Sequence, residues 1–195
     1  MKKQIGAISG AVVGLIAVFG LIATVALVAF GSYVSANNYG VQIEAQLKAE
    51  RDNNKNLLAQ GQQKVLEIAQ VPEMYAADLK KIVEAAIQGR YGQNGSQATM
   101  QWLQEQNPNL DSALYAKIQQ VIEAYRDEFK NGQTKMIDVK RSYETNLGYF
   151  WKGMWMRIAG FPKLNLDEFK PITTDRVEET YEKGKESAPL KLRQS

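Results

Sequence analysis

Hydrophobic and polar positions are distributed very unevenly along this chain. From Ile5 to Phe30 nearly every residue is apolar, and no charged side chain lies between Lys3 and Glu44. As a helix, this run of 26 residues would extend about 39 Å. That exceeds the roughly 30 Å hydrocarbon core of a bilayer, so the run predicts one transmembrane helix with some tilt. Beyond it the pattern changes to a helical repeat of polar and apolar positions. Ser35, Asn37 and Asn38 offer capping side chains, and a first helix is expected from about Tyr39 to Gln70. Its apolar stripe is Ile43, Leu47, Leu57, Val65 and Ile68, interrupted by Glu50 and Asn54.

Pro72 suits the first turn of a further helix, with Leu79, Ile82, Val83 and Ala86 as the buried face over residues 72–89. Gly89, Gly92 and Gly95, with Asn94 and Ser96, predict a loop. Met100, Trp102 and Leu103 suggest a short helix or turn there. The clearest periodicity follows Pro108. Leu114, Ile118, Val121, Tyr125, Phe129, Gly132, Met136, Val139, Tyr143, Leu147, Phe150 and Met154 step by threes and fours. This predicts one long helix, or two nearly collinear ones broken at Asn131-Gly132. Past Phe161-Pro162 the pattern stops.

The pattern as a whole predicts an all-α fold: an N-terminal single transmembrane helix followed by a long antiparallel helical bundle or coiled-coil-like hairpin. The expected organisation is a short N-terminus at 1–4, a transmembrane helix at 5–31, a helical domain at 32–169 and a flexible polar tail at 170–195. The tail has too little apolar content to fold alone.

Flanking charge suggests an orientation. Lys2 and Lys3 precede the run, and no Lys or Arg follows it until Lys48. The positive-inside rule then places the N-terminus in the cytoplasm and the helical domain outside, in the periplasm of a Gram-negative cell. The expected location is the cell (inner) membrane. A cleaved signal peptide is the competitor, since Val34-Ser35-Ala36 has the small residues a signal peptidase prefers. Signal-peptide apolar cores are typically only about 7–15 residues long, however, and the longer run favours an uncleaved anchor. Gly6, Gly10 and Gly14 share one helix face. Small residues so placed let two membrane helices approach closely, so a homo-oligomer through this face is expected. Glycine is also simply frequent in membrane helices.

Composition narrows the chemistry. The chain has no Cys and no His, which excludes a disulfide framework, a Ser-His-Asp triad and a His- or thiolate-based metal site. No catalytic, cofactor-binding or metal-ligating residue is assigned, and no enzyme is expected. Glu123, Asp127 and Glu128 alternate with Arg126 and Lys130, the pattern of a solvated helix face rather than a carboxylate pair. A carboxylate enzyme would need a concave pocket between helices. Arg90-Tyr91-Gly92 lacks a surrounding phosphate-binding pattern. The net charge of +3 and the absence of a basic stripe point to no nucleic-acid partner.

The segment Tyr149-Phe150-Trp151-Lys152-Gly153-Met154-Trp155-Met156-Arg157 combines four aromatic rings with two cations. If a long helix returns towards the membrane, it brings this segment back near the bilayer. Aromatic rings favour the bilayer interface, and Lys and Arg favour anionic headgroups. Tyr149, Trp151, Lys152, Trp155 and Arg157 are the candidate interface or partner-binding residues. The alternative is that Trp151 and Trp155 close the bundle core, because the helical stripe runs into Phe150 and Met154.

Several short stretches resemble the LemA family of bacterial proteins. Gln46-Leu47-Lys48-Ala49-Glu50-Arg51-Asp52, followed by Asn56-Leu57-Leu58, is similar to an early family segment, matching it at Asp52, Asn56 and Leu57. Asn53-Asn54-Lys55 replaces the family's Leu-Ile-Pro, and its paired arginines are absent at Ala49-Glu50. Asn107-Pro108-Asn109-Leu110 is similar to the Tyr-Pro-Asp-Leu before the family's later helices. Lys140-Arg141-Ser142-Tyr143 resembles an Ala-Arg-x-x-Tyr-Asn signature, with Glu144 in place of Asn and Phe150-Trp151 where a second Tyr-Asn would fall. Gly160-Phe161 and Phe169 resemble the close of the domain. The resemblance covers roughly residues 33–170 and implies an antiparallel helical bundle on a membrane anchor. It implies no agreed biochemical activity.

The expected function is therefore a membrane-anchored helical scaffold acting through protein contacts, with the lipid bilayer and an unidentified protein, or a second copy, as partners. The alternative is a membrane-acting protein, for envelope remodelling or phage-type lysis, whose aromatic segment engages lipid.

Overall fold

The structure, a computed structural model, describes residues 10–70, 73–89, 95–106 and 112–172. Five helices occupy the described residues: α1 (Gly10–Ala69), α2 (Glu73–Ile87), α3 (Gly95–Gln106), α4 (Ser112–Gly148) and α5 (Phe150–Ile158). One 3-10 turn follows at Leu166–Glu168. No strand occurs among these residues, so the all-α expectation holds. Gly6, Lys2, Lys3, Pro72, Arg90-Tyr91-Gly92, Asn94, Asn107-Pro108-Asn109-Leu110 and the tail from residue 173 lie outside the described residues.

The chain divides into two compact units. The first joins Met1–Ala45 to Arg141–Asn165, and the second joins Gln46–Lys140 to Leu166–Ser195.

In the second unit, parts of α1 and α4 run antiparallel, with α2 and α3 packed together beside them. Asn54 lies against Gly132, and Gly61 lies against Tyr125. Gly61 also receives Ile87: a methyl added there would come within 2.5 Å of the Ile87 Cδ1. The core gathers Val65, Ile68, Leu79, Val83, Ala86, Ile87, Leu103, Ile118, Ile122 and Phe129. Each large side chain buried in this way contributes about 1.5–3 kcal/mol. Leu79, Val83 and Ala86 are buried as their spacing predicts, with Ile82 half-buried. Gln62 ties α1 to α2, donating from Nε2 to the Glu84 carboxylate at 3.0 Å and to the Lys80 carbonyl at 3.3 Å. Gly89, with φ of +79°, ends α2 in a left-handed cap.

Helix α4 continues through Asn131-Gly132 without a break. Gly132 is there because Asn54 occupies the space a side chain would need.

In the first unit, the apolar part of α1 passes without interruption into a packed segment. Ser35, Asn37 and Asn38 sit inside the helix and cap nothing. The expected helix start at Tyr39 is corrected accordingly: continuing the helix satisfies the same backbone groups that a cap would. Ala36, Gly40, Ile43 and Glu44 form the buried face here.

Helix α4 stops at Gly148, because Tyr149 is extended (φ −65°, ψ 139°). This resets the helical phase. On α5 the buried residues are Gly153 and Met156, whereas Phe150 is 85% exposed. The stripe expected to continue through Phe150 is therefore wrong at that residue. Gly153 lets α5 cross the end of α4, since a methyl there would collide with the Leu147 carbonyl. Gly160, with φ of +82°, ends α5. Its N–H donates to the Arg157 carbonyl at 2.9 Å, and the Phe161 N–H donates to the Met156 carbonyl at 3.0 Å, forming a Schellman cap.

Candidate functional site

The Schellman cap aims the chain back at α1. Phe161 is 3% exposed and packs against Gly40, where a methyl would come within 2.5 Å of its ring. One helical turn further along α1, the Glu44 carboxylate accepts three hydrogen bonds. Their donors are the Tyr143 hydroxyl at 2.7 Å, the Lys163 N–H at 2.7 Å and the Leu164 N–H at 3.2 Å. Glu44 is 8% exposed and Tyr143 is fully buried. Burial, then the hydrogen bond to Glu44 and its negative charge, raise the Tyr143 phenol well above its ordinary pKa. One carboxylate oxygen of Glu44 thus gathers the Tyr143 hydroxyl and two backbone amides, tying three chain segments of the unit together.

The aromatic helix α5 completes the site. Trp151 donates its indole N–H to the Ser32 hydroxyl at 3.2 Å. Trp155 stacks edge-to-face on Trp151, with centroids 5.7 Å apart and planes at 78°. The Lys152 ammonium sits over the Tyr39 ring, 3.2 Å from its centroid, and burial lowers the pKa of this lysine. The Tyr39 hydroxyl accepts from the Asn146 amide at 2.8 Å. Arg157 turns away from α1 and donates to the Leu147 carbonyl at 3.0 Å, capping the end of α4.

The candidate residues Tyr149, Trp151, Lys152, Trp155 and Arg157 thus lie together, but in different roles. Trp155 and Lys152 are half-buried against α1. Tyr149 and Trp151 are 55% and 51% exposed. With Phe150 and Ile158, at 85% and 60% exposed, they give α5 an apolar outer surface. Trp151, Lys152 and Trp155 also wall a cavity of about 450 Å³ with Val28, Gly31, Ser32, Ser35 and Ala36. The indole N–H of Trp155 is buried and has no hydrogen-bond partner.

No known protein family, curated protein or solved structure matches the chain.

The apolar stretch from Gly10 to Val28 is exposed throughout. It belongs to the one helix, among the described residues, long and apolar enough to cross a membrane. Gly10 and Gly14 have open space around them. In the other unit, Glu123, Asp127 and Lys130 are exposed and, with Arg126, line a cleft of about 560 Å³. Among the described residues no three carboxylates converge as a metal site.

Sequence reading identified the aromatic helix but missed Gly40, Glu44, Tyr143 as a hydrogen-bonding residue, and Phe161. One signal was available. Glu44 is the first charge after a long uncharged stretch, and it lies on the same face as Ile43 and Leu47.

Proposed function

We propose that the chain is a single-pass membrane protein whose helical domain acts through contacts rather than catalysis. The N-terminus lies in the cytoplasm and the helical domain on the outer or periplasmic side. One observation carries this reading. A fully exposed apolar helix continues without a cap into a segment packed against the end of α4 and against α5. An exposed apolar surface of this extent needs lipid or another protein to cover it. The resemblance to the LemA family supports the same anchored arrangement. An N-terminal signal sequence can also present an apolar helix of this kind. Against cleavage after Val34-Ser35-Ala36 stands Ala36 itself, which is 2% exposed within the packed helix. Because the chain has no Cys, a single Lys117→Cys substitution gives a clean topology probe. Labelling by a membrane-impermeant maleimide in intact cells is expected, and labelling only after lysis would reverse the orientation.

The open Gly10–Gly14 face supports association of two membrane helices. The mass of the full-length protein in mild detergent, less the micelle, tests it. A discrete oligomer that Gly10→Ile reduces to monomer is expected. A monomeric wild type would move the reading to a single-chain adaptor. The outer apolar surface of α5 favours a second reading, a protein that disturbs lipid. Dye-loaded liposomes that stay sealed with intact protein inserted would remove it.

A further inference from the structure

The cavity between α5 and α1 sits at a defined depth if Gly10–Phe30 crosses the bilayer, and the following inference rests on that anchoring. Gly10–Phe30 as a helix matches the roughly 30 Å hydrocarbon core. Ser32 and Ala36 then lie about 3 and 9 Å beyond its edge, within the headgroup layer. The cavity reaches from Val28 and Gly31 at the lipid end to Ser32, Ser35, Lys152 and Trp155 at the water end. Gly31 leaves open space at the lipid end.

Charge around it has one sign. No Asp or Glu occurs from Gly10 to Ile43 or from Thr145 to Asn165, while Lys152, Arg157 and Lys163 fall in the second stretch. Hydroxyls at Ser32 and Ser35 and the Lys152 side chain line the cavity with no carboxylate among its walls. A lysine and two hydroxyls, in a cavity at headgroup depth, suit an anionic oxygen.

We propose that this cavity binds the phosphate of an anionic phospholipid, held by Lys152 and the hydroxyls of Ser32 and Ser35, with an acyl chain running past Gly31 and Val28. The second acyl chain remains in the bilayer beside Trp151 and Phe150. The bound lipid fixes the depth and tilt of α1, because α5 and α1 both contact it.

The test uses full-length protein with Trp102→Phe, which leaves Trp151 and Trp155 as the emitting residues. It is inserted in vesicles of phosphatidylcholine containing about one phosphatidylglycerol in five lipids, and brominated chains on either lipid quench tryptophan by contact. Brominated phosphatidylglycerol is expected to quench as though enriched about fivefold at the site, the preference one basic residue provides. Lys152→Gln should abolish the enrichment and Lys152→Arg should retain it. Ser35→Ala should reduce it with helicity unchanged. Equal quenching by both lipids, or enrichment that survives Lys152→Gln, overturns the proposal. Loss of enrichment on adding inorganic phosphate overturns the assignment to lipid and marks a free-anion site. Release of the protein from vesicles by alkaline carbonate overturns the anchoring and the lipid site together, whereas carbonate-resistant protein without enrichment overturns the lipid site alone.

Discussion

Truncating Glu44 to Ala strikes the first unit where three chain segments meet. The substitution removes the acceptor from the Tyr143 hydroxyl and from two backbone N–H groups. Tyr143 is fully buried, so its hydroxyl cannot turn to water, and an orphaned buried donor costs about 1–3 kcal/mol. Lys163 is exposed and Leu164 half-buried. Water can replace part of what their N–H groups lose, leaving about 0.5–1.5 kcal/mol for each. The sum is about 2–6 kcal/mol. At about 2–4 °C per kcal/mol for a chain of this size, the melting temperature should fall by about 10 °C. Circular dichroism of the full-length protein in mild detergent measures it. Hydrogen exchange at Lys163 and Leu164 should accelerate in parallel, because their amides lose their acceptor. A double-mutant cycle with Tyr143→Phe should give a coupling of about 1.5–3 kcal/mol, the range for a hydrogen bond to a charged group. A Glu44→Ala melt within about 2 °C of wild type, with exchange at both amides unchanged, would refute the reasoning.

Three further outcomes follow from the same geometry. The Tyr143 phenol is held above its ordinary value of 10.0, so the unfolded chain releases this proton first. Its contribution to stability is full below about pH 10 and falls as pH rises further. Melting followed across that range should show a decline that is smaller in Tyr143→Phe, and equal slopes would count against it. Gly40→Ala should destabilise by about 1–3 kcal/mol because Phe161 occupies the space. Gly148→Ala, where the space is open, should be neutral or slightly stabilising, and the same sign at both positions would contradict the packing. Asn54 is 4% exposed, with both amide atoms lacking a partner. Asn54→Leu has nearly the same shape and should raise the melting temperature by several degrees, as removal of an unsatisfied polar group does; a lower value would show that the amide is satisfied.

The helices of the second unit were legible because burial there follows periodicity. Leu79, Val83 and Ala86 lie on one face of a single helix, as do Ile118, Phe129 and Met136, and spacing alone finds them, although at the turn between it picks half-buried Val121 over buried Ile122. The junctions were not legible. Ser35, Asn37 and Asn38 have the composition of a cap, yet a helix already under way has no free N–H groups for them to satisfy. Phe150 was assigned to the core by counting from Leu147, and the single extended residue Tyr149 invalidates the count. Within the candidate site, aromatic richness drew attention to the segment that forms α5. Glu44 was invisible because what makes it important lies 99 to 120 positions away along the chain, beyond any local pattern. Gly40 reads as one glycine among 15 until the Phe161 ring is seen against it.

The hydrogen bonds of Glu44 also set an order of events during synthesis. Glu44 leaves the ribosome soon after the apolar segment, but the Lys163 and Leu164 amides follow only 119 and 120 residues later. At about 5–20 residues per second, the carboxylate waits roughly 6–24 s for its last partners. Throughout that interval Gly40 lacks Phe161, and the aromatic side chains that will cover this part of α1 have not yet been made. Chains that stop short of residue 164 remain in that state permanently. Cellular proteases that survey nascent chains would therefore find an unclosed segment of α1 in every prematurely terminated chain, and a closed one only when translation has passed Leu164.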